Sequence, residues 1–204
     1  MSLPITKEQA HAVARWMKSN FGAAIAGSVK GTPFSVDVLC GIACQETAYF
    51  WLNFLNTLSK DQILARCVLD ASGDFPGTRR GVFPRNTDAF RKRYGAEFTN
   101  MLIKEANDTR DLRGYPPKNW VYKGYGIYQY DLQWVTDDEA FFHERKWYNF
   151  DDCLDCVLKE LREKYKVYPD LWKAIRAYNG SGAAATAYAN NVIQFTAYCA
   201  EVQV

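Results

Sequence analysis

One glutamate in this chain stands where a glutamate is not expected. Across Val38–Phe50, the residues Leu39, Ile42, Ala43, Tyr49 and Phe50 recur at helical spacing and mark one buried stripe. Glu46 falls on that stripe, four residues after Ile42 and three before Tyr49, instead of on the solvated face. Desolvation disfavours the charged form of a carboxyl. A glutamic acid held against apolar side chains can therefore stay protonated near neutral pH, which is what donating a proton to a glycosidic oxygen requires. The plain alternative is a helix-end glutamate that reaches solvent or pairs with an arginine.

Two further stretches carry candidate chemistry. Gly124-Tyr125-Gly126-Ile127-Tyr128-Gln129-Tyr130-Asp131 has two closely spaced glycines, which permit close approach of another backbone or a ligand. Read as an extended strand, it turns Ile127, Gln129 and Asp131 to one face and Tyr128 and Tyr130 to the other. Ile175-Arg176-Ala177-Tyr178-Asn179-Gly180-Ser181-Gly182 reads as a helix C-terminus with a glycine stop, where Asn179 can take a left-handed conformation. Taken alone, the first is an aromatic hairpin edge and the second only a helix end.

The elements that must position these residues are mostly helices. Thr6-Lys7-Glu8-Gln9 is a capping box for a helix carrying Ala10, Val13, Ala14 and Met17, with Gly22 as its expected stop. Ser35 caps a helix through about Phe50, and the capping box at Ser59–Gln62 opens a short helix to about Leu69. Ala71 to Pro84 is rich in Gly and Pro and reads as a long loop. Asn86 caps a helix that Gly95 stops, and another runs from about Ala96 to Asn107. Residues 111–123 form a second loop, and Gly124 to Trp134 is the best strand candidate. An amphipathic helix with Phe150, Leu154, Val157, Leu158, Leu161 and Tyr165 follows. Pro169 opens a helix through Ala177, and a last helix runs from about Ala183 to Val202. The expected fold class is mainly α (α+β), in a single domain over 1–204 with one small β element.

Composition narrows the function classes. The 204 residues include 6 Trp, 13 Tyr and 12 Phe, enough for a packed core and against disorder. Lys and Arg number 25 against 23 Asp and Glu, so no electrostatic footprint for nucleic acid is present. No apolar run reaches membrane-spanning length, and Met1-Ser2-Leu3-Pro4 shows no export signal. Six cysteines lie at 40, 44, 67, 153, 156 and 199. The pairs 40/44 and 153/156 have same-face helical spacing, which suits buried thiols better than disulfides. Cys153-x-x-Cys156 lacks the second ligand pair of a zinc site. No metal or organic cofactor is expected.

In order, the three stretches resemble the lytic transglycosylases and goose-type lysozymes of the lysozyme-like superfamily. The matching residues are Glu46-Thr47, Gly126-Ile127-Tyr128-Gln129, Ala177-Tyr178-Asn179-Gly180 and Tyr188-Ala189-Asn190-Asn191-Val192. The resemblance implies a lysozyme-like fold that cuts peptidoglycan between N-acetylmuramic acid and N-acetylglucosamine. Glu46 would be the proton donor. Thr47, Gly126, Ile127, Tyr128, Gln129, Tyr178 and Asn179 would bind substrate. Asp131 would orient water, with Asp137 and Asp138 as substitutes.

Three departures stand out. Thr47 replaces the usual serine, Tyr128 replaces methionine, and 77 residues (47–123) separate Glu46 from Gly124, making 56–123 a long insertion. The partner is peptidoglycan or a related aminosugar polymer, reached after delivery or lysis. A catalytically silent saccharide-binding module on the same fold and a chitinase-type glycosidase are the competing readings.

Overall fold

The computed structural model describes residues 2–71 and 73–204. Met1 and Ser72, which fall in the N-terminal reading and in the 71–84 loop, lie outside the described residues. The protein is mainly helical with a small antiparallel sheet. It divides into two compact units: Met1–Thr57 with Leu154–Val204, and Leu58–Cys153.

In the first unit, α1 (Lys7–Val29) begins as its capping box dictates. Gln9 N donates to Thr6 Oγ1 and Thr6 N to Gln9 Oε1, at 3.3 and 2.8 Å. Gly22 does not stop it. A helical glycine costs about 1 kcal/mol, whereas each buried large side chain returns about 1.5–3 kcal/mol. Phe21, Ile25 and Val29 extend the buried stripe past it.

α2 (Val36–Glu46) starts at Ser35, whose hydroxyl accepts from Val38 N at 3.2 Å. It ends at Glu46, four residues before the expected limit, where Thr47 (φ −135°) breaks it, and the short α3 (Ala48–Trp51) follows. The break shifts the helical phase, so Tyr49 is exposed while Leu39, Ile42, Ala43 and Phe50 are buried.

The helix expected from 150 is α7 (Phe150–Val167). Asp170, not Pro169, caps α8 (Leu171–Asn179), through a hydrogen bond from Lys173 N at 2.8 Å. α9 (Gly182–Ala200) follows the glycine break and packs chiefly on α2.

The second unit holds α4 (Lys60–Ala65), β1 (Val68–Ala71), α5 (Thr87–Leu112), β2 (Tyr122–Tyr125), β3 (Tyr130–Asp131) and α6 (Glu139–His143). The strands lie in the order β1-β2-β3, with Val68 opposite Tyr125 and Gly124 opposite Asp131. β1 corrects the reading of 59–69 as helix: α4 ends at Ala65, and Val68 and Leu69 enter the sheet. Asn86 caps α5 as expected, and Gly95 (φ +80°, ψ 174°) leaves the helical conformation, so the first helix stops there as expected and a second continues α5 beyond the kink. α5 then runs to Leu112, past the expected end at Asn107.

The continuous strand over 124–134 is also corrected. β2 stops at Tyr125, and Gly126 (φ +78°) to Gln129 (φ +56°) form a turn closed by Gln129 N donating to Gly126 O at 3.0 Å. The chain therefore does not alternate faces here, and Ile127 and Tyr128 are both buried. Tyr125, Tyr130, Phe141, Phe142 and Trp147 form the aromatic core beside the sheet, with the Tyr125 and Trp147 ring centroids 4.9 Å apart.

Candidate functional site

Glu46 is the last residue of α2, and its carboxyl is partly shielded from solvent. The helix delivers it there because Leu39, Ile42 and Ala43 anchor the preceding turns in the core. Tyr188, from α9, donates its hydroxyl to Glu46 Oε1 at 2.5 Å. A bond this short to a carboxylate is charge-assisted and fixes the carboxyl's orientation. The Tyr188 phenol is held well above the usual tyrosine range, first by burial and then by the negative charge of Glu46. Tyr178 and Glu160 add smaller effects in the same direction. The Tyr178 ring lies 6.3 Å from that of Tyr188, tilted by 40°. The structure thus brings Glu46, Tyr178 and Tyr188 into one cluster, with Glu160 in its electrostatic surroundings.

The other expected site residues are placed differently. Thr47 is fully buried, and its hydroxyl accepts from Trp51 Nε1 at 3.0 Å, so it joins α2 to α3 and does not line a surface. Asn179 closes α8 in an exposed position, and the positive φ belongs to Gly180 (+118°). Gly126, Ile127, Tyr128, Gln129 and Asp131 belong to the second unit.

Ile127 and Tyr128, expected to bind substrate, are buried core residues there. A Cβ on Gly126 would meet Cys153 Sγ at 2.5 Å, and one on Gly124 would meet Gln129 Oε1 at 2.2 Å. Both glycines are thus required by neighbouring protein atoms. Gln129 Nε2 donates to Gly126 O at 2.8 Å and Cys67 O at 3.2 Å, a turn-closing role. Asp131 Oδ1 accepts from Arg80 Nη2 and from Gln133 N, and its Oδ2 accepts from Arg80 Nη1 at 3.2 Å. Its carboxylate is engaged on both oxygens.

The sequence reading missed Tyr188 as a partner of Glu46, although it lies in the quoted Tyr-Ala-Asn-Asn-Val run. It also missed a buried cluster in the second unit. Glu105, only 3% exposed, accepts from Arg66 Nη2 at 3.1 Å, Arg145 Nε at 2.8 Å and the Tyr148 hydroxyl at 2.6 Å. Burial, followed by the Glu105 bond, pushes the Tyr148 hydroxyl up to about 12. A cleft of about 580 Å³ opens beside Arg66 and Tyr148, with Asp61, Asp108 and Asp111 on its wall. Because two guanidinium groups neutralise Glu105, the cluster is suited to holding α5 in place rather than to moving protons.

All six cysteines are buried, and none is in a disulfide. Among the described residues, no group of three or more His, Cys, Asp or Glu side chains is placed to hold a metal ion. Nor is any helix among them long and apolar enough to cross a membrane. The chain matches no protein-family model, no curated protein and no solved structure.

Proposed function

We propose that this protein is a lysozyme-like enzyme that cleaves peptidoglycan glycan strands between N-acetylmuramic acid and N-acetylglucosamine, with Glu46 as general acid. The observation that carries the reading is the half-shielded Glu46 carboxyl, oriented by a buried tyrosine from the helix that follows the Ala177-Tyr178-Asn179-Gly180 turn. A carboxyl fixed in this way, once it has taken up a proton, presents that proton to one leaving oxygen. Tyr188 acts on Glu46 and not on the sugar, so it is a positioning residue.

As the bond to the N-acetylglucosamine oxygen breaks, Glu46 protonates that oxygen. The electron-deficient muramic carbon is then captured either by water or by a hydroxyl of the same muramic residue. In both cases the attacking O–H returns its proton to Glu46. The hydrolytic route needs a second group to hold water. Because Arg80 and Gln133 occupy both Asp131 oxygens, the proposal gives Asp131 no such role. The internal route needs only one carboxyl, and it is the outcome this arrangement favours.

The test compares wild type with Glu46→Gln on purified cell walls, following turbidity and the masses of released fragments. Wild type should clear the suspension and release anhydro-muramic ends. The variant should stay folded and lose activity by about 10²–10⁴, the usual contribution of a positioned acid. Clearing by Glu46→Gln at the wild-type rate would remove the reading. Saturable binding without any cleavage would replace it with a saccharide-binding module, and cleavage confined to chitin oligosaccharides would replace it with a chitinase-type activity.

A further inference from the structure

Three buried thiols gather in the first unit and take no part in the chemistry proposed above. Cys40 and Cys44 stand one turn apart on α2, and Cys199 comes from the last turn of α9. Cys44 Sγ lies 4.0 Å from Cys199 Sγ. The two backbones run close together because Gly41 lies between the cysteines of α2. A Cβ there would stand 2.8 Å from Thr196 Oγ1 and 3.0 Å from Thr196 N and Val192 O. A disulfide needs sulfurs about 2.05 Å apart and Cβ atoms about 3.5–4.5 Å apart. At 4.0 Å the two sulfurs are about 2 Å from bonding distance, across helices already in close contact.

The three thiols are not equivalent. Hydrogen bonds from Cys40 and Cys44 pull the Cys199 thiol below the usual cysteine range, against the opposing effects of burial and of Asp37. Lys18 adds a smaller effect in the same downward direction, and its ammonium donates to Cys199 O at 2.8 Å. Donation to Cys199, reinforced by burial, holds Cys40 and Cys44 protonated. Cys199 is the sulfur on which the thiols of α2 converge, and Cys44, 4.0 Å away, is placed to resolve a product formed there.

We propose that Cys199 and Cys44 form an oxidation site that hydrogen peroxide converts into a disulfide joining α9 to α2. The Cys199 thiolate attacks one peroxide oxygen, the O–O bond breaks, and the departing hydroxide takes up the proton that Cys199 had released. The resulting sulfenic acid is attacked by the Cys44 sulfur. The S–S bond forms, the S–O bond breaks, and hydroxide leaves with the Cys44 proton as water. Two thiols are oxidised and one peroxide is reduced to two waters. A sulfenic acid next to a thiol condenses in this way more readily than it over-oxidises. Peroxide is small enough to reach a buried pair during local opening, which a bulkier disulfide reagent is not.

The test is independent of any activity on glycans. The folded protein is treated with hydrogen peroxide, quenched, denatured and alkylated, and its peptides are mapped by mass. The expected result is the loss of two alkylatable thiols out of six, a peptide linking Cys44 to Cys199, and a rise in Tm of several degrees that dithiothreitol reverses. Cys199→Ser should abolish the link, and Cys153→Ser should retain it. Where a variant does not fold, the wild-type map alone decides. The proposal is overturned if all six thiols stay alkylatable under peroxide that fully oxidises free glutathione. It is equally overturned if the cross-link joins any other pair, or forms only in denaturant.

Discussion

Tyr188→Phe removes one hydroxyl and keeps the ring that fills the space beside Glu46. A hydrogen bond to a charged group contributes about 1.5–3 kcal/mol. The 2.5 Å separation and a phenol that is only 7% exposed argue for a bond that solvent does not screen. Glu46, however, is partly exposed and recovers part of the loss by turning to water, so the expected destabilisation is the low end, about 1.5 kcal/mol. For a chain of 204 residues that corresponds to a fall in Tm of about 3–6 °C.

Urea titration of wild type, Tyr188→Phe, Glu46→Gln and the double variant closes a cycle. The coupling should be about 1 kcal/mol, because a neutral amide still accepts the bond at reduced strength. On glycan strands Tyr188→Phe should lower kcat and leave KM nearly unchanged, since its hydroxyl orients the acid and touches no sugar. A coupling within about 0.3–0.5 kcal/mol of zero is additive behaviour. It would mean that the bond is not made in solution and that Tyr188 does not position Glu46.

Glu105→Gln breaks a buried ion cluster, which typically costs about 3–5 kcal/mol. Arg66 keeps Asp108 at 3.0 Å and Arg145 is partly exposed, so guanidinium denaturation should show a loss near the lower figure. Gly126→Ala combines a positive φ with a Cβ 2.5 Å from Cys153 Sγ, while Gly77→Ala (φ +82°) meets nothing within 4 Å. The first should cost about 2–5 kcal/mol and the second about 1–2 kcal/mol; equal losses would show that packing at Gly126 is loose. Tyr148, pushed up to about 12, and Tyr125 and Tyr188, held well above the usual range, keep their protons longer when folded. That stability is fully present below the unfolded tyrosine pKa of about 10 and is lost as pH rises from there toward 12. The denaturation midpoint should therefore fall between about pH 10 and pH 12, and a flat profile would contradict the burial of these phenols.

Helix starts were legible because each is a local event. Thr6, Ser35, Ser59 and Asn86 each bond to backbone within three residues, as a pattern search assumes. The helix stop at Gly22 was misread because the weak local cost of glycine yields to a buried stripe that continues beyond it. β1 escaped notice because Val68 and Leu69 become a strand only through a partner far along the chain, at Tyr125 and Gly124. The Gly-x-Gly run was taken as extended because alternation cannot reveal a positive φ at Gly126 or Gln129. For the candidate site, the apolar stripe singled out Glu46 correctly as half-shielded. Its hydrogen-bond partner lies 142 residues away, and no spacing rule reaches that far.

The first unit is assembled from two segments that flank the second in sequence, and this imposes an order on synthesis. α2 carries Leu39, Cys40, Ile42, Ala43 and Cys44 fully buried, yet its principal neighbour, α9, is made only after the whole of Leu58–Cys153. At about 5–20 residues per second, the stretch from Glu46 to Ala200 takes roughly 8–30 s to translate. The second unit, continuous over Leu58–Cys153, is finished before that interval ends and can fold first. For most of that time the apolar face of α2 is on offer to chaperones, and a chain that terminates before Gly182 never covers it. Nascent fragments ending between Cys153 and Gly182 should therefore be sticky and protease-sensitive in their N-terminal part while already resistant across 58–153.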